Sequence, residues 1–239
     1  MSGSLWTPII LAAASTVILQ TPGRALAPPA ASAADAPSIF GTIALPLKST
    51  RFDDRWRRVL RSGLAARQLL APLAAARRVP PAEQLRLVNA SVNARIRYRP
   101  DIHPSGDHWS TAQQTVGRSA GDCEDYAIAK LQALKALGVP ERDLFMTIGH
   151  EGSADAVHAV LVARVDGRFF VLDNRTDQLI PHERYGGFYP MLTFGARSSW
   201  LHGYERGKTP AAVRAMNGAV RSDQTSLNGL ADPAPKRRQ

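Results

Sequence analysis

Apolar positions recur at helical spacing through the first half of this chain and at strand spacing through the second. From Phe52 to about Ala76, the residues Trp56, Val59, Leu60, Leu64, Leu69 and Leu70 return every three to five positions, which predicts helix. Pro80-Pro81 breaks that run, and a second helix is predicted from Ala82 through Leu85, Leu87, Val88 and Val92 to about Ile96. The polar stretch 99–120 holds Pro100, His103, Pro104, His108 and Trp109, and reads as a connection with room for a short helix near 111–116. Ala127, Ile128, Leu131 and Leu134 then mark one face of a third helix, stopped by Gly138 and Pro140. Beyond it the pattern changes to strands at 144–148, 157–165 and 168–172, the last two joined by Asp166-Gly167, a strong two-residue hairpin signal. The pattern thus predicts helices first and strands after them.

The two ends read differently from the middle. Leu5 to Leu19 is an apolar run of about 15 residues, short for a membrane span and interrupted by Pro8. Small residues and Ala-x-Ala sites follow, which predicts a secretory signal peptide over residues 1–33. Pro28 disfavours cleavage after Ala25-Leu26-Ala27, so Ala31-Ser32-Ala33 is the better site. Residues 34–50 are rich in Pro, Ala and Ser and predict an extended lead-in to one domain spanning 34–205. Residues 206–239 turn polar and basic, ending in Lys236-Arg237-Arg238, and predict a partly disordered tail.

The net charge of +10 is uneven. Twelve arginines lie between Arg51 and Arg99 against three acids, Asp53, Asp54 and Glu83. Such a stretch is either a solvated helical face or an attractor of an acidic partner or anionic surface. Aromatic residues are not interleaved as in nucleic-acid binders, so nucleic acid is not an expected partner.

The candidate chemistry sits at Gly121-Asp122-Cys123-Glu124-Asp125-Tyr126, around the only cysteine in 239 residues. Asp122 reads as an N-cap, Cys123 as the first helical residue and Asp125 as a capping-box acid. A thiol at a helix N-terminus gains from the macrodipole and the free N–H groups. Three adjacent carboxylates oppose a thiolate, so the arrangement calls for a histidine or a bound cation nearby. A small buried filler is the alternative for a lone cysteine. With export, however, an unused free thiol is a liability, since no intramolecular disulfide can form.

The hairpin supplies the histidine. With Asp166-Gly167 as the loop, Val165 faces Arg168, Val160 faces Asp173 and His158 faces Arg175. His158 and Asp173 then share one sheet face as diagonal neighbours, with Cα atoms roughly 7–8 Å apart. Asn174 points to the other side. Cys123, His158 and Asp173 therefore read as nucleophile, general base and orienter. The oxyanion would be received by the Cys123 backbone N–H and one donor among Gln113, Gln114 and Trp109.

Gly121-Asp122-Cys123-Glu124-Asp125-Tyr126-Ala127, Val157-His158-Ala159-Val160-Leu161 and Leu172-Asp173-Asn174, with Tyr98 and Asp107-His108-Trp109 upstream, resemble the LapG-type bacterial transglutaminase-like cysteine proteinases. The resemblance spans about residues 45–205. It implies an α+β, papain/transglutaminase-like fold with a helical N-terminal lobe and an antiparallel sheet carrying the histidine and aspartate. It further implies a periplasmic, calcium-dependent endopeptidase that cuts a large surface adhesin near its N-terminus at a di-alanine site, releasing cells from biofilms. By position, the calcium ligands fall on Asp122, Glu124 and Asp125. An inner-membrane cyclic-di-GMP receptor is the implied regulator, and membrane association would come only through that partner. The same triad would serve a transglutaminase or amide acyltransferase, and an inert triad would leave a periplasmic regulatory binding module.

Overall fold

The helix bearing the cysteine is enclosed on nearly every side. In the computed structural model, which describes residues 36–63, 67–100, 108–152, 156–211, 213 and 214, helix α5 runs over Cys123–Leu137 with Gly138 as its left-handed C-cap at φ 99°. The predicted apolar face understates it, because Lys130 and Gln132 are buried too. Burial of polar side chains is tolerated where their hydrogen bonds are made. Gln132 Nε2 donates to Val59 O at 2.6 Å, and Lys135 Nζ donates to Leu60 O at 3.1 Å.

The predicted helix from Phe52 to Ala76 is divided. Helix α1 covers Asp53–Arg61 and helix α2 covers Arg67–Leu73, followed by a 3₁₀ stretch at Ala74–Arg78. Ser62 ends α1 in an extended conformation, its hydroxyl donating to Val59 O at 2.7 Å, and Gly63 follows. Pro72 lies inside α2, and its missing N–H precedes the change to the tighter 3₁₀ winding. Helix α3 covers Pro81–Arg95 with proline at its first position, close to the span expected. Helix α4, Ala112–Arg118, has the short extent anticipated in the polar connection and begins with a Thr111–Gln114 capping box.

A seven-stranded sheet backs these helices, in the order β1-β9-β8-β4-β5-β6-β7. Its strands are β1 (Ile43–Leu47), β4 (Leu144–Glu151), β5 (Ala156–Val165), β6 (Arg168–Leu172), β7 (Ile180–Pro181), β8 (Phe188–Phe194) and β9 (Ser199–Gly203), all paired antiparallel. Arg97–Tyr98 (β2) and Ala120–Gly121 (β3) form a separate parallel pair. The hairpin register is the one expected, Val165 opposite Arg168, with Asp166 and Gly167 both at positive φ as a type I′ turn requires. The lead-in segment contributes an edge strand, β1, rather than only extended chain. Strands β8 and β9 lie beyond the patterns read from the sequence.

One sheet face, through Ala159, Leu161, Ala163 and Met146, joins the core around α5. The other, through Val160, Val162, Val171, Phe188 and Trp200, packs with Ile39 of the lead-in. The expected signal peptide lies outside the described residues, as does the tail from residue 215 onward. Among the described residues no helix is long and apolar enough to cross a membrane.

Candidate active site

The start of α5 is assembled by backbone contacts that only certain residues permit. Asp122 is the N-cap, its Oδ1 accepting from the Asp125 N–H at 3.3 Å. Gly121 must lack a side chain, because a Cβ there would lie 2.6 Å from both Cβ and Oδ2 of Asp125. Asp125 does not reach back as a capping-box acid. Fully buried, it accepts from the Ser110 N–H at 2.8 Å and pairs with Arg118 Nη2 at 3.1 Å, tying the incoming connection to the helix.

Cys123 occupies the first helical position and is partly buried. Its thiol donates to Glu124 Oε2 at 2.9 Å, and its sulfur accepts a hydrogen bond from the backbone N–H of Ala159. Burial, then the charge and hydrogen bond of Glu124, push the thiol well above its ordinary pKa; Asp122 adds to the rise and the Ala159 N–H opposes it. In this resting arrangement Glu124, rather than an imidazole, takes the thiol hydrogen.

Through that N–H the sulfur meets strand β5 at the residue that follows His158. His158 Nε2 and Asp173 Oδ1 are 2.9 Å apart, and both side chains are buried. With Nε2 engaged, Nδ1 is the ring nitrogen left for proton exchange. Asp173 also accepts from the Tyr185 hydroxyl at 2.8 Å and from the Arg175 N–H at 3.3 Å. Burial alone would raise the Asp173 pKa, but the hydrogen bonds and charge of His158, with those of Tyr185 and Arg175, hold it below the usual carboxylate value. The diagonal placement read from the hairpin is thus realised as a direct bond.

Residues 65–197 match the family of bacterial transglutaminase-like cysteine proteinases. The chain belongs to that family. No curated protein matches it. Among solved structures, calcium-bound LapG of Legionella pneumophila is similar at 22% identity and a TM-score of 0.50, covering 70% of this chain and 98% of that one. Another Legionella pneumophila LapG structure shares 24% identity at a TM-score of 0.49, covering 65% and 89%. An EGTA-treated form shares 24% at 0.49, covering 72% and 99%. The likeness to the calcium-bound form concerns the fold, and the helices and antiparallel sheet of this chain are the α+β arrangement expected.

For a bacterial transglutaminase-like cysteine proteinase, the surroundings of the thiol are strongly acidic. Among the described residues no three His, Cys, Asp or Glu side chains cluster as a metal set. Of the three carboxylates named from the sequence, Asp125 is bonded to Ser110 and Arg118, Asp122 caps the helix and Glu124 accepts from the thiol; the last two flank Cys123 with oxygen donors of the kind a hard cation takes. Asp107 lies outside the described residues.

Two of the three oxyanion candidates have other work. Trp109 is fully buried, stacked on Phe52 with ring centroids 5.3 Å apart, and Gln114 Oε1 accepts from the Thr111 N–H at 2.8 Å. Gln113 is exposed. Tyr98 is 56% exposed, and partial burial followed by the nearby Cys123, Asp122 and Glu124 groups raises its pKa.

Several site residues escaped the sequence reading. Asn93 Nδ2 donates to Asp173 O, Thr176 O and Asp177 Oδ1, each at 3.0 Å, and Asn89 Nδ2 donates to Thr176 O at 2.8 Å. Their spacing of four on α3 was the available signal, two amides on one helix face. Lys130 is buried under the same turn, its Nζ 3.5 Å from Leu172 O.

Proposed function

We propose that this cysteine proteinase is a periplasmic, calcium-dependent endopeptidase with Cys123 as nucleophile, His158 as general base and Asp173 as its orienter. The observation that carries the reading is the buried His158–Asp173 bond at 2.9 Å, on a strand whose next residue, Ala159, donates its N–H to the thiol at the helix N-terminus. His158, held through Nε2, accepts the thiol proton at Nδ1, and Cys123 Sγ attacks the substrate carbonyl. The Cys123 backbone N–H receives the oxyanion. The C–N bond breaks as His158 returns its proton to the leaving amine. Water then attacks the thioester with His158 again taking a proton, releasing the acid and the free thiol.

Asp122 and Glu124 are the residues that would hold calcium. When bound, the ion would supply positive charge offsetting the carboxylates that raise the thiol pKa. The acidic surroundings of Cys123 and the calcium-bound form of the similar Legionella pneumophila LapG support this reading. The substrate we infer is a large acidic repeat adhesin cut near its N-terminus at a di-alanine site, which would control biofilm release. The arginine-rich helical lobe supports an acidic partner. An inner-membrane cyclic-di-GMP receptor would act as the regulator.

The test is incubation of the purified protein with a di-alanine peptide from an adhesin N-terminus, with a labelled amine present. Hydrolysis products with calcium, lost in Cys123→Ala, are expected. Amine incorporation would instead make the protein an acyltransferase, and an unchanged peptide would end the endopeptidase reading.

A further inference from the structure

Asp173 has two carboxylate oxygens, and only Oδ1 meets His158. Oδ2 accepts from the Tyr185 hydroxyl at 2.8 Å. A carboxylate bonded on one oxygen alone can pivot about its Cβ–Cγ bond; a second donor on the other oxygen removes that freedom.

Tyr185 is itself fixed from behind. Its ring packs against Phe188 with centroids 5.6 Å apart and against Phe40 at 6.1 Å. Phe40 adopts a left-handed φ of 54°, which a bulky residue holds only where its surroundings compel it. Its N–H donates to His182 Nδ1 at 2.9 Å, and His182 Nε2 stands 3.1 Å from Glu183 Oε1. Phe188 also meets the His158 ring edge-on at 6.5 Å. One aromatic wall therefore backs both the imidazole and the hydroxyl that steadies its carboxylate.

We propose that Tyr185 is a positioning residue, its hydroxyl locking Asp173 so that Oδ1 stays presented to His158 Nε2. This rests on the reading of His158 as the base that activates Cys123. Because burial and the neighbouring Asp173 charge push the Tyr185 pKa upward, the hydroxyl keeps its proton throughout the working range and remains a donor.

The test uses iodoacetamide, whose alkylation reports on Cys123 alone because the chain has no other cysteine. Rates are measured for the full protein with calcium present, in Tyr185→Phe, Asp173→Ala and the double variant, with thermal unfolding as a check that the ring still packs. Tyr185→Phe slows alkylation about fivefold, the change carried by one hydrogen bond of ordinary net strength. The same change added to Asp173→Ala has no effect. An unchanged or faster rate in Tyr185→Phe, or an equal slowing in both backgrounds, overturns the proposal. A His158→Ala variant alkylated at the parental rate would instead remove the base assignment itself.

Discussion

The Cys123 thiol donates to Glu124 Oε2 at 2.9 Å, so the side chain next along the chain favours the protonated thiol. Nucleophilic attack needs that proton released, and a cation drawing on the same carboxylate is the simplest means. Adding EGTA is therefore expected to slow iodoacetamide alkylation at pH 7, and restoring calcium should reverse it. In Glu124→Gln, alkylation without calcium should exceed that of the parent. Identical rates with and without calcium in the parent protein would remove the coupling.

His158 and Asp173 share a buried bond, so the two should fail together. Replacing His158 by Ala is expected to lower peptide cleavage by about 100-fold or more, the ordinary scale of a lost general base. Asp173→Asn should fall in the same direction. A double variant no worse than His158→Ala is the expected pattern, and steady-state cleavage rates at several substrate concentrations measure it.

Gly121 lies where β3 meets the first turn of α5. In Gly121→Ala the new methyl must displace Asp125, disturbing its bonds to Ser110 and Arg118. Overpacking of this kind costs about 1–3 kcal/mol. Urea unfolding should register the loss, whereas an unchanged midpoint would show that the helix start can yield.

His202 links strands across the sheet. The Thr42 hydroxyl donates to Ile39 O at 2.7 Å, so it must accept from His202 Nδ1 at 2.6 Å; Thr193 Oγ1 then donates to Nε2 at 2.7 Å and accepts from Thr147 Oγ1 at 2.9 Å. Burial pulls the His202 pKa down to about 4 from an unfolded value near 6.5. The neutral ring is the one that fits, so its stabilisation is complete above about pH 6.5 and is lost as pH falls through 4. The expected loss is about 3 kcal/mol at its fullest, by the free energy of each pKa unit. His202→Gln should show a correspondingly shallower fall in unfolding free energy between pH 7 and 4.

Lys130 carries an amine into the core, and burial pulls its pKa down to about 7 against the raising influence of Asp173 and Asp177. Its unfolded value is near 10.4, so the cost of the buried charge is largest below pH 7 and eases as pH rises toward 10.4. Stability should rise over that interval in the parent protein and not in Lys130→Met, as denaturant titrations at pH 7 and 9.5 would record.

The parts of this fold visible in the sequence were those written in local patterns. The Asp166-Gly167 turn dictated its own register, and from that register came the pairing of His158 with Asp173. Asp122 and Gly138 marked the two ends of α5 because caps are short-range devices. What stayed hidden was set by partners far along the chain. Strands β8 and β9 alternate poorly because residues such as Thr193 and His202 turn polar groups inward and satisfy them there. Asp125 looked like a capping-box acid until Ser110 and Arg118 arrived from the preceding connection. Tyr185 carried no motif, and only the folded chain brings it to Asp173.

The first and last strands of the domain, β1 and β9, lie side by side at one end of the sheet, with Ile43 opposite Gly203. Asn89 likewise reaches across 87 residues to the turn that presents Asp173. Contacts this distant along the chain form late in folding. A nascent polypeptide thus carries its sulfur for many residues before the imidazole's support exists, and the sheet edge closes only after residue 203 has emerged.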